Sequence, residues 1–170
     1  MAGIAFSALG ASALVLLAYG RIPAPVGLLI GAAGVQLRLL CNMLDGLVAV
    51  EGGLKSKAGD LFNEAPDRIE DVLLLVSAGI ACGQPQLGWC CATLAVATAY
   101  FRAFGASLGF GQDFCGPCAK PHRMAILTVG LLASLLPGHQ PILQISLWVI
   151  AALTAVTAAR RIRHIYTKLP

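Results

Sequence analysis

Apolar runs separated by short proline- or glycine-bearing breaks make up most of this chain, and each break predicts a turn between helices. The first run extends from about Ile4 to Tyr19 and is closed by Arg21-Ile22-Pro23-Ala24-Pro25, where two prolines discourage helix continuation. A second begins near Val26, is rich in Gly and Ala, carries Arg38, and turns polar at Asn42 and Asp45. Glu51 to Lys57 is a hydrophilic loop with two glycines. The third element opens with the polar stretch Gly59 to Asp71 and continues as the apolar run Val72 to Cys82, too short to cross a bilayer unaided. Gly83-Gln84-Pro85-Gln86 interrupts it, and a fourth run from about Leu87 to Phe101 ends near Arg102. A polar loop follows from Gly109 to Pro121. No Lys, Arg, Asp or Glu occurs between Met124 and Ala159, but Pro137-Gly138-His139-Gln140-Pro141 divides that stretch into a fifth and a sixth run. The pattern predicts an all-α polytopic membrane protein of six transmembrane helices in a single domain, residues 1–170.

Composition supports this. Charged residues make up 12% of the chain, against roughly 25% in an ordinary soluble domain, and the mean hydropathy is +0.80. Met1 to Gly20 carries no charge and so lacks the basic opening of a signal peptide, which reads as a retained first span. The six cysteines are scattered and imply no disulfide framework. If the spans alternate, Lys55, Lys57, Lys120, Arg123, Arg160, Arg161, Arg163 and Lys168 share one side, against Arg21 alone on the other. The positive-inside rule then places both termini and the acidic stretch in the cytoplasm, as expected for a bacterial inner-membrane protein.

The acidic stretch changes the picture from a membrane bundle to a site. Seven of the eight Asp and Glu residues lie between Asp45 and Asp71. Clustered carboxylates raise one another's pKa, so beside apolar segments they call for cations. At about 100° per residue, Asp60, Glu64, Asp67 and Asp71 form one stripe on a helix, with Asn63 at its edge. Asn42 and Asp45, three apart, share a face of the preceding helix, so the two oxygen arrays can converge across the loop. Hard oxygen donors suit Mg²⁺ or Mn²⁺, which commonly bind substrate phosphates as well. Acids favoured by a helix N-terminus in solvent are the plainer reading.

The same residues resemble the CDP-alcohol phosphotransferases, six-span enzymes of phospholipid biosynthesis whose pattern is D-x-x-D-G-x-x-A-R, a gap, then G-x-x-x-D-x-x-x-D. Asp45, Gly46, Ala49, Gly59 and Asp67 match it with both internal spacings kept, while Asn42, Val50 and Asn63 depart from it. Tyr100-Phe101-Arg102 and Lys120-Pro121-His122-Arg123 look like the phosphate-binding regions of members that use inositol phosphate. The resemblance implies a metal-dependent transferase that moves a phosphatidyl group from a CDP-linked lipid, CDP-diacylglycerol, to a small phosphorylated alcohol and releases CMP. It implies Asp67 as general base, and Asn42, Asp45, Asn63 and Asp67 as metal ligands, with Glu64 and Asp60 as further candidates. Gly46, Ala49 and Gly59 would admit the nucleotide, and Arg102, Lys120 and Arg123 would hold the acceptor phosphate. A homodimer in the bilayer is implied, and no nucleic-acid partner. Asn42, Asp45, Asn63 and Asp67 together carry two negative charges, enough to balance one divalent ion rather than two. The rival readings are a catalytically silent binder of CDP-lipid and a cation-binding transporter.

Cys115-Gly116-Pro117-Cys118 has redox-motif spacing without the strand-to-helix context that gives the motif its chemistry. Zinc held by both cysteines, Asp113 and His122 would have a sparse, mixed ligand set. A plain Gly-Pro turn is therefore the expectation, and His139 and His164 receive no role.

Overall fold

The computed structural model describes residues 2–51, 57–136 and 141–169, with side chains described throughout these ranges except at 49–51 and 57–63. Six helices follow the predicted breaks: α1 Ala2–Ala18, α2 Ala24–Glu51, α3 Lys57–Ala81, α4 Pro85–Ser107, α5 Lys120–Ala133 and α6 Ile142–Tyr166. Helix α1 ends where Gly20, at φ 65, lets the Arg21 N–H reach the Leu16 carbonyl at 2.9 Å. Gly83, at φ 72, repeats the device after α3, with the Gln84 N–H on the Gly79 carbonyl at 2.7 Å. Left-handed residues at these places satisfy the last carbonyls of each helix, and glycine adopts that conformation without a Cβ penalty.

The elements run further than the apolar runs alone suggest. Helix α2 continues past Asp45, α4 continues past Phe101 so that Arg102 sits inside it, and the polar opening of α3 is helical and continuous with Val72–Ala81. The positions of the acidic stripe thus lie on the same helix as the apolar run that follows them. Among the described residues three helices, over Ala24–Val48, Pro85–Ser107 and Ile142–Tyr166, are long and apolar enough to cross a membrane. Helix α1 is apolar but shorter. Helix α5 has 14 residues, about 21 Å at 1.5 Å per residue, less than the ~30 Å hydrocarbon core.

The helices pack as a closed ring in the order α2, α1, α3, α4, α6, α5 and back to α2. Leu14, Val35, Leu74, Leu75, Met124, Leu127, Leu147 and Ile150 fill its centre. Glycines allow the closest crossings. A Cβ added to Gly79 would lie 2.6 Å from the Gly88 Cα where α3 meets α4, and one on Gly34 would lie 2.9 Å from the Gly10 Cα where α1 meets α2. Small residues at such crossings let backbones approach without a hydrophobic drive between helices. Leu9, Leu29, Trp89, Val129 and Trp148 point outward and are more than half, or half, exposed, an apolar exterior suited to lipid.

Candidate functional site

Helix α3 supplies the acids, and its neighbours decide what each one meets. Asp71 is fully buried and takes one arginine on each oxygen: Arg38 Nη2 of α2 at 2.5 Å and Arg123 Nη2 of α5 at 2.9 Å. Glu70, 1% exposed, lies 3.2 Å from Arg38 Nε. These four side chains carry two positive and two negative charges, so the buried group is neutral as a set. Asp71 and Glu70 therefore act as supports of the bundle, and the stripe divides after Asp67.

Asp67 sits one turn closer to the polar end, where the site opens. Its Oδ1 accepts from Asn42 Nδ2 at 2.6 Å and from Lys120 Nζ, and its Oδ2 lies 3.5 Å from Arg68 Nη2. Asn42 also donates to Glu70 Oε2 at 3.2 Å. An amide suits this position because its two hydrogens satisfy one carboxylate each, whereas a carboxylate there would add a third negative charge beside Asp67 and Glu70, whose cations Lys120, Arg68 and Arg38 are already engaged. With Nδ2 turned to the acids, the amide must rotate to present its oxygen to a metal. Replacing Asn42 by Asp should consequently make stability depend on divalent ions. We expect the thermal midpoint of Asn42→Asp to fall below wild type in a chelator and to recover with Mg²⁺ or Mn²⁺; an unchanged midpoint in both conditions would show that the amide is not separating the carboxylates.

Of the two oxygen arrays, the structure brings Asn42 and Asp67 into contact, through the Asn42 nitrogen. Asp45 is exposed on α2, and Gly46 lies beside it in the helix with open space where a Cβ would be. The side chains of Asp60 and Asn63, and the surroundings of Ala49 and Gly59, lie outside the described residues. Glu64 is half exposed and pairs with Arg102 of α4.

The basic residues gather next to Asp67. A cavity of about 330 Å³ is lined by Asp67, Arg68, Arg102, Lys120, Arg123 and Arg161, among others. Arg102 stacks over the Phe114 ring at 5.2 Å. Arg123 is 2% exposed, and besides Asp71 it donates to the Cys118 carbonyl at 3.2 Å, so it lines the cavity as a fixed group rather than a snorkelling one. Arg161, by sequence one of several cations near the C-terminus, also lines this cavity. Its Nη1 donates to the Thr98 carbonyl at 2.5 Å and its Nε to the Cys115 carbonyl at 3.2 Å, which ties the end of α6 to α4 and to the α4–α5 loop beside the cavity. The signal was present in Arg160-Arg161-Ile162-Arg163, but nothing in the spacing says which arginine turns inward.

The α4–α5 loop also differs from the expected plain turn. Asp113 Oδ1 accepts the Cys115 N–H at 2.8 Å, while its Oδ2 meets His164 Nδ1 at 2.6 Å and Cys115 Sγ at 3.2 Å. Burial pushes the Asp113 carboxyl up, but these three hydrogen bonds outweigh it and bring it down to about 2. Cys118 is buried with its N–H on Thr157 Oγ1 at 3.0 Å, and His122 is exposed, so neither joins Asp113 and Cys115.

Among the described residues, the fold is a closed six-helix ring with an oxygen-bearing cleft at Asp67 beside a cationic cavity. No protein-family model matches the chain. It is 29% identical over 147 residues to the phosphatidylinositol phosphate synthase of Mycobacteroides abscessus, covering 81% of this chain and 65% of that protein. With the corresponding synthase of Mycobacterium marinum it shares 28% identity over 166 residues, 92% of this chain and 68% of the relative. Crystal structures of the Mycobacterium tuberculosis phosphatidylinositol phosphate synthase superpose with TM-scores of 0.80 for the complex with manganese and citrate and 0.76 for the apo form. Both alignments cover 97% of this chain, at 24% and 25% identity, and 79% and 85% of the respective synthase chains. The chain is thus similar to phosphatidylinositol phosphate synthases and shares their fold, and it spans about two thirds of the length of the curated synthases it matches.

Proposed function

We propose that this protein transfers a phosphatidyl group from a CDP-alcohol, CDP-diacylglycerol, to a hydroxyl of a polyol phosphate, with release of CMP. The observation that carries the reading is the placement of Asp67 at the edge of a cavity lined by Arg68, Arg102, Lys120, Arg123 and Arg161. A carboxylate beside concentrated positive charge is what a phosphorylated nucleophile requires: one group to take its proton, several to hold its phosphate. The synthase of Mycobacterium tuberculosis has been crystallised with CDP-DAG bound and with manganese, which supports the same donor and a divalent ion here.

The donors at the cleft fit a hard cation. Asn42 and Asp67 meet there, and the motif would add the oxygens of Asp45 and Asn63, with Glu64 and Asp60 as further candidates, the ligand chemistry of Mg²⁺ or Mn²⁺. Bound there, the ion would neutralise the donor diphosphate and draw charge from the departing nucleotide. Asp67 takes the proton of the acceptor hydroxyl, whose oxygen forms a bond to the lipid-side phosphorus as the bond to CMP breaks. Lys120, free to leave Asp67 for a phosphate, holds the acceptor together with Arg102 and Arg161, and fixes its hydroxyl in line with the bond that breaks. Gly46, with open space where a Cβ would be, leaves room for backbone approach by the nucleotide, and the motif would give Ala49 and Gly59 the same part. Two carboxylates among the four motif positions balance one ion, so one metal is held without nucleotide. Restoring Asn42→Asp and Asn63→Asp together should add a second, counted by calorimetry; two equal sites in wild type would refute the charge argument.

The same reading places six spans in a bacterial inner membrane with both termini and the cleft on the cytoplasmic side, and a homodimer in the bilayer. Cysteine accessibility at the two ends of the bundle tests the orientation.

The direct experiment is incubation of purified protein with labelled CDP-diacylglycerol, Mg²⁺ or Mn²⁺, and paired acceptors: inositol phosphate against inositol, glycerol phosphate against glycerol. Metal-dependent CMP release favouring the phosphorylated member of each pair is expected. Lys120→Met should raise the acceptor KM about tenfold or more, in keeping with the ~1.5–3 kcal/mol of a hydrogen bond to a charged group, with the CDP-lipid KM less affected. Equal use of both members would sink the acceptor assignment. A silent CDP-lipid binder is the second reading, favoured by the pairing of Asp67 with both Asn42 and Lys120; it predicts lipid binding without CMP release under every condition.

A further inference from the structure

We propose that Asp113, Cys115 and His164 form a zinc site that clips the α4–α5 loop to the C-terminal end of α6. One ligand atom from each residue lies within 4.8 Å of the other two, and this is the group of at least three His, Cys, Asp or Glu so arranged among the described residues. Tetrahedral Zn²⁺ takes thiolate sulfur at about 2.3 Å and imidazole nitrogen or carboxylate oxygen at about 2.0–2.2 Å, so neighbouring ligand atoms stand roughly 3.3–3.8 Å apart. The Cys115 Sγ to Asp113 Oδ2 separation of 3.2 Å is already near that range, and the 2.6 Å between Asp113 and His164 opens to it by a small rotation of the exposed imidazole.

The donor set selects the metal. A thiolate, an imidazole and a carboxylate suit borderline-soft Zn²⁺ and exclude Mg²⁺, which takes oxygen. Charge also balances: Asp113 and ionised Cys115 contribute two negative charges against the ion, His164 is neutral when it ligates, and the thiol proton leaves to solvent on binding. The three protein ligands leave a fourth position for water.

The surroundings hold these ligands in place as supporting contacts of a metal site do. Asp113 Oδ1 is engaged by the Cys115 N–H, the Cys115 carbonyl by Arg161 Nε, and the Cys118 N–H by Thr157 Oγ1. Thr157, Arg161 and His164 follow one another at i, i+4 and i+7, so a single face of α6 grips the loop in three places and His164 is the last of them. The clip lies behind Phe114 and Arg161, which line the cationic cavity. Its role is to hold that wall, and it is separate from the Mg²⁺ or Mn²⁺ cleft at Asp67.

The test uses untagged, full-length protein in detergent, stripped with chelator and titrated with Co²⁺ in saturating Mg²⁺. One equivalent should bind with thiolate-to-cobalt charge-transfer absorption and the visible bands of tetrahedral cobalt, and Zn²⁺ should displace it. Cys115→Ser should abolish the charge-transfer band and His164→Ala should weaken binding at least tenfold, while Cys118→Ser should change neither. No charge-transfer band in wild type, its persistence in Cys115→Ser, or its loss in Cys118→Ser alone would overturn the site. On the unmodified chain, Zn²⁺ should slow alkylation of Cys115 at least tenfold; equal rates with and without zinc would mean that the cluster is a hydrogen-bonded latch only.

Discussion

Asp67→Asn is expected to lower CMP release by about 10³-fold or more while leaving the bundle folded. The asparagine keeps an oxygen to accept from Lys120, so the contacts at Oδ1 need not collapse. What it loses is the capacity to take a proton and the charge that favours a divalent ion. General-base catalysis alone contributes about 10²–10⁴-fold, and metal affinity should fall as well. The loss should appear in kcat at saturating metal, whereas Lys120→Met should act mainly on the acceptor KM. This division separates the two ends of one hydrogen bond: the carboxylate belongs to the chemistry and the ammonium to binding. Turnover within tenfold of wild type would remove Asp67 from the reaction.

The second large effect concerns stability. Arg38 is fully buried and is the shared partner of Glu70 and Asp71. Replacing it by Met leaves two buried carboxylates with only Arg123 and the Asn42 amide to answer them. Truncating one partner of a buried ion pair costs roughly 3–5 kcal/mol, a large share of a total that is commonly 5–15 kcal/mol. A fall in the thermal midpoint of roughly 6 °C or more is expected in detergent. Arg38→Met combined with Asp71→Asn should recover part of the loss, because one uncompensated charge is removed, and a double-mutant cycle reads the coupling. A midpoint unchanged in Arg38→Met would show that the network is not a support of the fold.

These two residues illustrate how a single sequence signal divides into different roles. Asp67 and Asp71 are four apart on α3 and indistinguishable by periodicity. One meets Arg38 and Arg123 in the sealed centre; the other meets Asn42 and Lys120 at the opening of a cavity. The assignment depends on depth along the helix, and hence on which turns of α2 and α5 lie opposite.

The chain by itself determined the helices and their breaks, because glycine and proline act locally: Gly20, Gly83 and the Pro85 that opens α4 mark turns through their own backbone geometry. It also determined the acidic stripe, since a helix of known period aligns Asp60, Glu64, Asp67 and Asp71 whatever surrounds them. The ring order, the removal of Asp71 from the open site, the inward turn of Arg161 and the pairing of His164 with Asp113 were decided only in three dimensions. Those contacts join residues 33 to 63 positions apart. Helical periodicity says which side chains share a face, but the partner of that face is set by how the helices pack against one another.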